Sequence, residues 1–145
     1  MHGAADRTLA PSRAARRDLE AHGIERIRLW GRGVDTVRFH PAHRDPALRR
    51  ELAPDGELLV GYVGRLAPEK RVDLLAAAGG LPGVRLVVVG DGPSGPGLRA
   101  RLPHARFLGR RTGDDLARIF ASLDVFVHTG PFETCLLYTS PSPRD

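Results

Sequence analysis

A single cysteine, a single lysine and an aromatic content of only 6% are the scarcest features of this 145-residue chain, and each narrows what it can do. Cys135 alone cannot form an internal disulfide, which suits a reducing compartment and makes the cytoplasm the expected location. No apolar run approaches the roughly 20 residues of a membrane span. Met1-His2-Gly3-Ala4-Ala5-Asp6-Arg7 also lacks the apolar core of a secretory leader. Aromatic residues are too few, and too little interleaved with basic ones, to stack nucleic-acid bases, so RNA and DNA are not expected partners despite a net charge of +5. Of 22 Lys and Arg residues only Lys70 is lysine. With abundant Ala, Gly and Pro, this is the composition of a GC-rich genome, in which arginine is the default cation. The basic residues Arg13, Arg16 and Arg17 read as a solvated helix face, with peripheral contact to an anionic membrane surface as the alternative.

What is present is an ordinary globular balance, 41% hydrophobic and 27% charged, on a chain long enough to bury a core. Residues 7–10 read as the end of a strand. Ser12 caps a helix over 13–21, with Ala15 and Leu19 on one face, and Gly23 ends it. A strand over 24–30 then leads into the Gly31-Arg32-Gly33 turn. Residues 34–56 are rich in turn signals (His40-Pro41, Asp45-Pro46, Pro54, Asp55-Gly56) and read as a linker around one short helix, 46–52, followed by a new domain. Beyond it the spacing predicts strands over 58–63, 84–89, 105–108 and 125–127, alternating with helices over 69–78, 97–102 and 114–123. Val72, Leu75 and Ala76 face inward on the first of these helices. The pattern implies an α/β fold, a Rossmann-like parallel sheet with helices on both faces.

Three loops at strand ends carry polar chemistry. Gly64-Arg65-Leu66-Ala67-Pro68-Glu69-Lys70-Arg71 follows the strand 58–63, where open α/β sheets bind ligands. Gly64 permits close backbone approach, and Arg65 and Lys70 put two cations beside an expected helix N-terminus, a natural diphosphate site. A lysine in an arginine-rich chain suggests a compact charge is wanted there. A solvated surface turn is the competing reading, and spacing alone leaves the two even. Gly90-Asp91-Gly92-Pro93-Ser94-Gly95 spells G-x-G-x-x-G after a strand. Pro93 and Pro96 interrupt the entry into a helix, the strand is not the first of its sheet, and Asp114 and Asp115 open a helix instead of ending a strand. A tight glycine turn at the sheet edge is therefore preferred to a dinucleotide site. His128-Thr129-Gly130-Pro131-Phe132-Glu133-Thr134 can meet a bound sugar, although a lone His128 is more often a packed or surface residue. His40 and His43 find no third ligand for a metal and read as linker.

Taken in order, Ala10-Pro11-Ser12, Trp30-Gly31-Arg32-Gly33-Val34-Asp35 with Phe39-His40-Pro41, Val63 to Lys70, Val89 to Pro93 and His128 to Thr134 resemble glycosyltransferase family 4 (GT4). The tryptophan-glycine turn and the His-Thr-Gly-Pro loop are most similar to the actinobacterial GDP-mannose-dependent α-mannosyltransferases. The resemblance implies a GT-B fold of two Rossmann-like domains. Residues 1–38 would then end the N-terminal, acceptor-side domain, and residues 39–134 would begin the nucleotide-sugar-binding domain. It implies a retaining hexosyltransferase moving a hexose, mannose by preference, from a nucleotide diphosphate sugar to a hydroxyl of a lipid or glycan, without metal or cofactor. Arg65 and Lys70 would hold the donor diphosphate, and Gly31, Gly33 and Gly64 would lie beside it. His128 and Glu133 would meet the sugar. Arg65, Lys70 and Glu133 form the expected catalytic set. The family's second glutamate would fall at Pro141. An NAD(P)-dependent oxidoreductase domain and a non-catalytic sugar-nucleotide-binding module are the alternatives.

Cys135 to Asp145 has no hydrophobic period, and codon for codon it reads as one frame of a common sequencing-transposon adapter. The expectation is a chain truncated at both ends, inactive by itself, whose last native residue is Thr134. Sequencing source DNA across the Thr134 codon should reveal a different continuation with a glutamate codon at position 141. Recovering the same Ser-Pro-rich tail followed by a stop would overturn this reading.

Overall fold

The computed structural model describes residues 6–30 and 33–130. The expectations for Gly31, Glu133 and the 135–145 tail lie outside these residues. The chain divides into two compact units, one containing the described residues up to Val34 and the other running from Asp35.

The first unit is a small β-α-β element. Strand β1 (Thr8–Ala10) pairs in parallel with β2 (Ile27–Leu29), Thr8 opposite Ile27 and Ala10 opposite Leu29. Between them helix α1 (Arg13–Ala21) begins where the Ser12 hydroxyl accepts the Ala15 N–H at 3.1 Å. It ends with the Gly23 and Ile24 N–H groups on the Glu20 and Leu19 carbonyls, both at 3.0 Å. Ala15 and Leu19 form the half-buried face, and Arg13, Arg16 and Arg17 are exposed. Strand β2 is shorter than its alternating pattern suggests because Arg26, at φ +57°, leaves the extended region just before it.

The second unit is built on a four-stranded parallel sheet of order β5-β4-β3-β6, from β3 (Leu58–Val63), β4 (Val84–Val89), β5 (Arg106–Gly109) and β6 (Val125–Phe126). Strands β3 and β4 are near-continuous runs of Leu and Val because both faces are covered. On one face Leu59, Val63, Val87 and Val89 pack with Leu48 and Leu52 of α2 (Pro46–Leu52) and with Ile119 of α5 (Gly113–Ser122). On the other, Val60, Tyr62, Leu86 and Val88 pack with Leu75 of α3 (Leu75–Gly79) and Leu98 of α4 (Gly95–Arg101). The expected α/β class, with helices on both faces of a parallel sheet, is what forms.

Three local expectations are corrected. The segment read as linker is partly core: Asp45 caps α2 by accepting the Ala47 and Leu48 N–H groups at 2.7 and 3.1 Å, and α2 buries Leu48 and Leu52. His40 and His43 belong to this ordered segment too, His40 accepting the Ala42 N–H at 3.1 Å and His43 lying 3.1 Å from the Val37 carbonyl. The helix expected over 69–78 is broken into 3₁₀ turns at Pro68–Lys70 and Val72–Leu74 before α3, because Arg71 takes a left-handed conformation, φ 48° and ψ 39°. Pro96 does not obstruct α4: it sits in the first turn, where the missing N–H leaves no intrahelical bond unmade. Among the described residues no helix is long and apolar enough to cross a membrane.

Asp124, between α5 and β6, joins these layers. Its carboxylate accepts the Leu59 N–H at 2.9 Å, Arg44 at 2.7 Å and Arg49 at 2.9 Å, and only 20% of its side-chain surface is exposed. Partial burial pushes this carboxyl up, but the Leu59 N–H and the two guanidinium groups outweigh it and bring it from 3.8 down to about 2. A lowered carboxyl stabilises the fold above its ordinary value, and the stabilisation is lost as pH falls through the folded value. After allowance for screening by water this is about 1–2 kcal/mol. Asp124→Asn in the full-length protein should therefore be less stable than wild type by that amount at pH 6. The gap should close between about pH 4 and pH 2 in urea unfolding. A gap that persists unchanged at pH 2 would show that the charge is not its source.

Candidate functional site

The sheet order places β3 between β4 and β6, so the chain leaves β3 first to one side and later returns on the other. The carboxyl end of β3 is therefore the point where the strand order reverses, the usual ligand position in open parallel sheets. The Gly64–Arg65–Leu66 turn lies at this point, and its backbone is held from two directions. The β3–β4 hydrogen-bonding runs on past the strands: Gly64 N–H donates to Val89 O, Leu66 N–H to Asp91 O and Ser94 N–H to Leu66 O, each at 2.9 Å. From below, the Tyr62 hydroxyl donates to the Arg65 carbonyl at 3.0 Å from a side chain only 2% exposed. Leu66 and Ala67 are fully buried. The Arg65 side chain is exposed, on a backbone with little freedom to move.

This arrangement explains the glycines after β4. Gly90 has φ +135°, and a Cβ there would stand 1.8 Å from the Gly64 carbonyl oxygen; Gly92 has φ +154°, and a Cβ would meet Leu66 O at 2.3 Å. The turn is not at the sheet edge, as expected, since β4 lies between β3 and β5. Its glycines let the neighbouring turn approach. With both occupied in this way, and with Asp114 and Asp115 in the first turn of α5, the dinucleotide-binding alternative loses its structural basis.

Arg65 and Lys70 lie on one segment, as expected, but not at the start of a regular helix. Lys70 closes a single 3₁₀ turn, and α3 begins five residues after it with only five residues of its own. An appreciable helix dipole is therefore missing, and the cations themselves must supply the positive potential. Arg65 makes an exposed ion pair with Glu69 at 3.3 Å, a contact weak enough for an anionic ligand to replace. Lys70 is half-buried. The loop after β6 reaches this segment: Thr129 Oγ1 donates to the Lys70 carbonyl at 2.6 Å, two residues beyond the backbone bond from Val127 N–H to Gly61 O at 2.8 Å. His128, exposed, is on that loop. The structure thus joins the Lys70 turn to the His128 loop through Thr129, with Gly64 and Arg65 earlier on the segment that carries Lys70. Gly33 is exposed in the other unit, with open space where its Cβ would be.

Two residues with no role in the sequence reading, Arg110 and Arg111, lie near Arg65 on the β4–β5 side. An open depression of about 490 Å³ at the carboxyl ends of β3, β4 and β5 is lined by Arg65, Asp91, Arg110 and Arg111 among others. Three arginines against one carboxylate favour an anion. In a chain where arginine is the ordinary cation, nothing in the sequence separates Arg110 and Arg111 from the rest. Tyr62 and Thr129 were equally hidden, because a strand tyrosine and a loop threonine acquire roles only through what they touch. Among the described residues no group of three or more His, Cys, Asp or Glu side chains is placed to hold a metal ion.

Comparison with known proteins bears on the same residues. Residues 57–137, more than half the chain, match the family Glycosyl transferases group 1. A GDP-mannose-dependent alpha-mannosyltransferase of Mycobacterium tuberculosis is 52% identical over 134 residues, 92% of this chain and 35% of its own. A protein of the same name from Corynebacterium glutamicum is 49% identical over 135 residues, 92% and 33% of the two chains. The chain spans about a third of the length of these curated relatives. Anabaena Alr3699/HepE, solved in complex with UDP and glucose, superposes with a TM-score of 0.69 at 26% identity, over 87% of this chain and 38% of that one.

The close approach at Gly90 makes a sharp contrast with Gly97, a helical position with open space where a Cβ would lie. In the full-length protein, Gly90→Ala should lose about 3 kcal/mol or more, from a backbone clash added to a disfavoured φ. Gly97→Ala should gain about 0.5–1 kcal/mol. Urea midpoints measured side by side decide it; equal midpoints would show that the two turns do not meet as described.

Proposed function

The chain belongs to the glycosyl transferases group 1 family, and on that footing we propose that the full-length enzyme transfers a hexose from a nucleotide diphosphate sugar to a hydroxyl, with retention of configuration. The observation that carries the proposal is the clamped Gly64–Leu66 turn, which offers Arg65 to solvent at the carboxyl end of β3 while Lys70 is tied to the loop after β6. GDP-mannose is the proposed donor, on the strength of the relatives about half identical that are named for it. The acceptor is a lipid or glycan. Arg13, Arg16 and Arg17, exposed along α1, offer a peripheral contact to the inner face of the plasma membrane.

On this reading the chemistry is electrostatic. As the sugar–phosphate bond breaks, negative charge grows on the leaving diphosphate. Cations fixed beforehand interact more strongly with that state than with the bound donor. Arg65 and Lys70 supply the charge without a metal ion. The backbone holding Arg65 is rigid because the Gly90–Gly92 turn and Tyr62 brace it, so little reorganisation is needed at the moment of reaction. Glu133 is assigned to the sugar hydroxyls, with His128 beside them. A non-catalytic binding module would need the same diphosphate contacts but no rate dependence on them.

The test is steady-state kinetics of the full-length enzyme with GDP-mannose. Lys70→Ala should lower kcat about a hundredfold, corresponding to about 3 kcal/mol, and raise KM for donor less. Lys70→Arg should rescue only in part, since a planar guanidinium is a poor copy of a compact ammonium. GDP should compete better than UDP; the reverse would change the donor but not the family. Folded Lys70→Ala and Arg65→Ala variants both within about threefold of wild type would overturn the diphosphate assignment.

A further inference from the structure

Lys70 is followed by a break in the chain's helical path. Had the segment 69–78 been one helix, the Lys70 carbonyl would accept the N–H of Leu74. The left-handed turn at Arg71 prevents this, and Leu74 N–H goes instead to Arg71 O at 3.0 Å. The Lys70 carbonyl is thereby turned out of the helical ladder, and Thr129 Oγ1 donates to it at 2.6 Å from the loop after β6. Both groups are partly shielded from water, so this contact competes with solvent better than an exposed one would.

The position of this bond in the sheet gives it a second consequence. β3 and β6 are neighbours, so the segments that follow them leave the sheet side by side. A backbone bond between their two chains, Val127 N–H to Gly61 O, is two residues before Thr129. The Thr129 hydroxyl therefore carries the pairing of the two chains beyond the end of the ladder. One of the joined segments bears the lysine assigned to the diphosphate, and the other carries His128 and runs on towards Glu133.

We propose that Thr129 is a positioning residue for the transfer reaction, its hydroxyl fixing the Lys70 backbone relative to the loop after β6. This rests on the diphosphate reading of Lys70. If the hydroxyl is removed, the Lys70 turn and the β6 loop move independently, and the ammonium is no longer held where charge develops. Displacements of about 1 Å in such groups lower rates by up to about a hundredfold. A merely structural role would show in the melting temperature. A positioning role shows in kcat and depends on Lys70 being present.

The experiment compares Thr129→Val, which keeps the shape, with Thr129→Ser, which keeps the hydroxyl, in the full-length enzyme with GDP-mannose. Thr129→Val should lower kcat about tenfold, with KM for donor changed less than about threefold and the melting temperature within a few degrees of wild type. Thr129→Ser should recover to within about threefold. In a Lys70→Ala background, Thr129→Val should have no further effect beyond about twofold, because the group it positions is gone. Thr129→Ala replaces Thr129→Val if the latter does not fold. Serine and valine variants equally slow, or a valine effect undiminished in the Lys70→Ala background, would overturn the proposal. A wild-type rate in Thr129→Val beside a slow Lys70→Ala would remove the positioning role alone. A wild-type rate in Lys70→Ala would remove the diphosphate reading, and this inference with it.

Discussion

Two stretches of backbone, residues 64–66 and 90–92, pass so close that no side chain fits between them, and the geometry of the strand ends follows from that contact. Gly90 and Gly92 take φ values of +135° and +154° and abut the Gly64 and Leu66 carbonyls. In return the turns exchange hydrogen bonds that carry the β3–β4 ladder past the strands. An exposed turn beyond a strand end would ordinarily be mobile. Here its amide and carbonyl groups are committed, and Tyr62 braces it from the core. The exposed arginine and the rigid backbone are thus two results of one packing constraint.

A second constraint works from the opposite face. Asp124 gathers Arg44, Arg49 and the Leu59 amide around one carboxylate, and Asp45 both caps α2 and pairs with Arg118 of α5 at 3.2 Å. The Asp45 N–H donates to the Ser122 hydroxyl at 3.0 Å, so α2 is fixed to α5 through polar contacts while Leu48 and Leu52 enter the core. This network keeps β6 beside β3. The Thr129–Lys70 contact depends on that placement, so its support lies on the face of the sheet away from α3 and α4.

The geometry at the end of β3 bears on how a negative charge could be held there. A helix dipole at this point would have been a fixed contribution from the backbone. With the helical path broken at Arg71, the positive potential comes from side chains: Arg65, Arg110 and Arg111 around one depression, and Lys70 five residues beyond Arg65 in the chain. These are charges that ligands and neighbouring carboxylates can screen, so the response of the site to a ligand depends on ion pairs such as Arg65–Glu69 giving way.

The sequence alone determined whatever depends on local pattern. Strands β3 and β4 were legible to the residue, because buried parallel strands are continuous apolar runs. The motif order identified the family, and Arg65 and Lys70 were legible as cations at a strand end. The tertiary structure decided whatever depends on which segments meet. Val72, Leu75 and Ala76 have helical spacing, but spacing cannot register one left-handed residue at Arg71. The short helix over 46–52 was legible, but the turn signals around it concealed its place in the core, because Leu48 and Leu52 become apolar contacts only once α5 is beside them. Gly90 and Gly92 resembled a nucleotide fingerprint in one dimension and proved to be a fit between two backbones in three. Thr129 was an ordinary loop residue until β6 was placed beside β3, since a hydrogen bond across 59 residues of chain is a property of the sheet order and not of the local sequence.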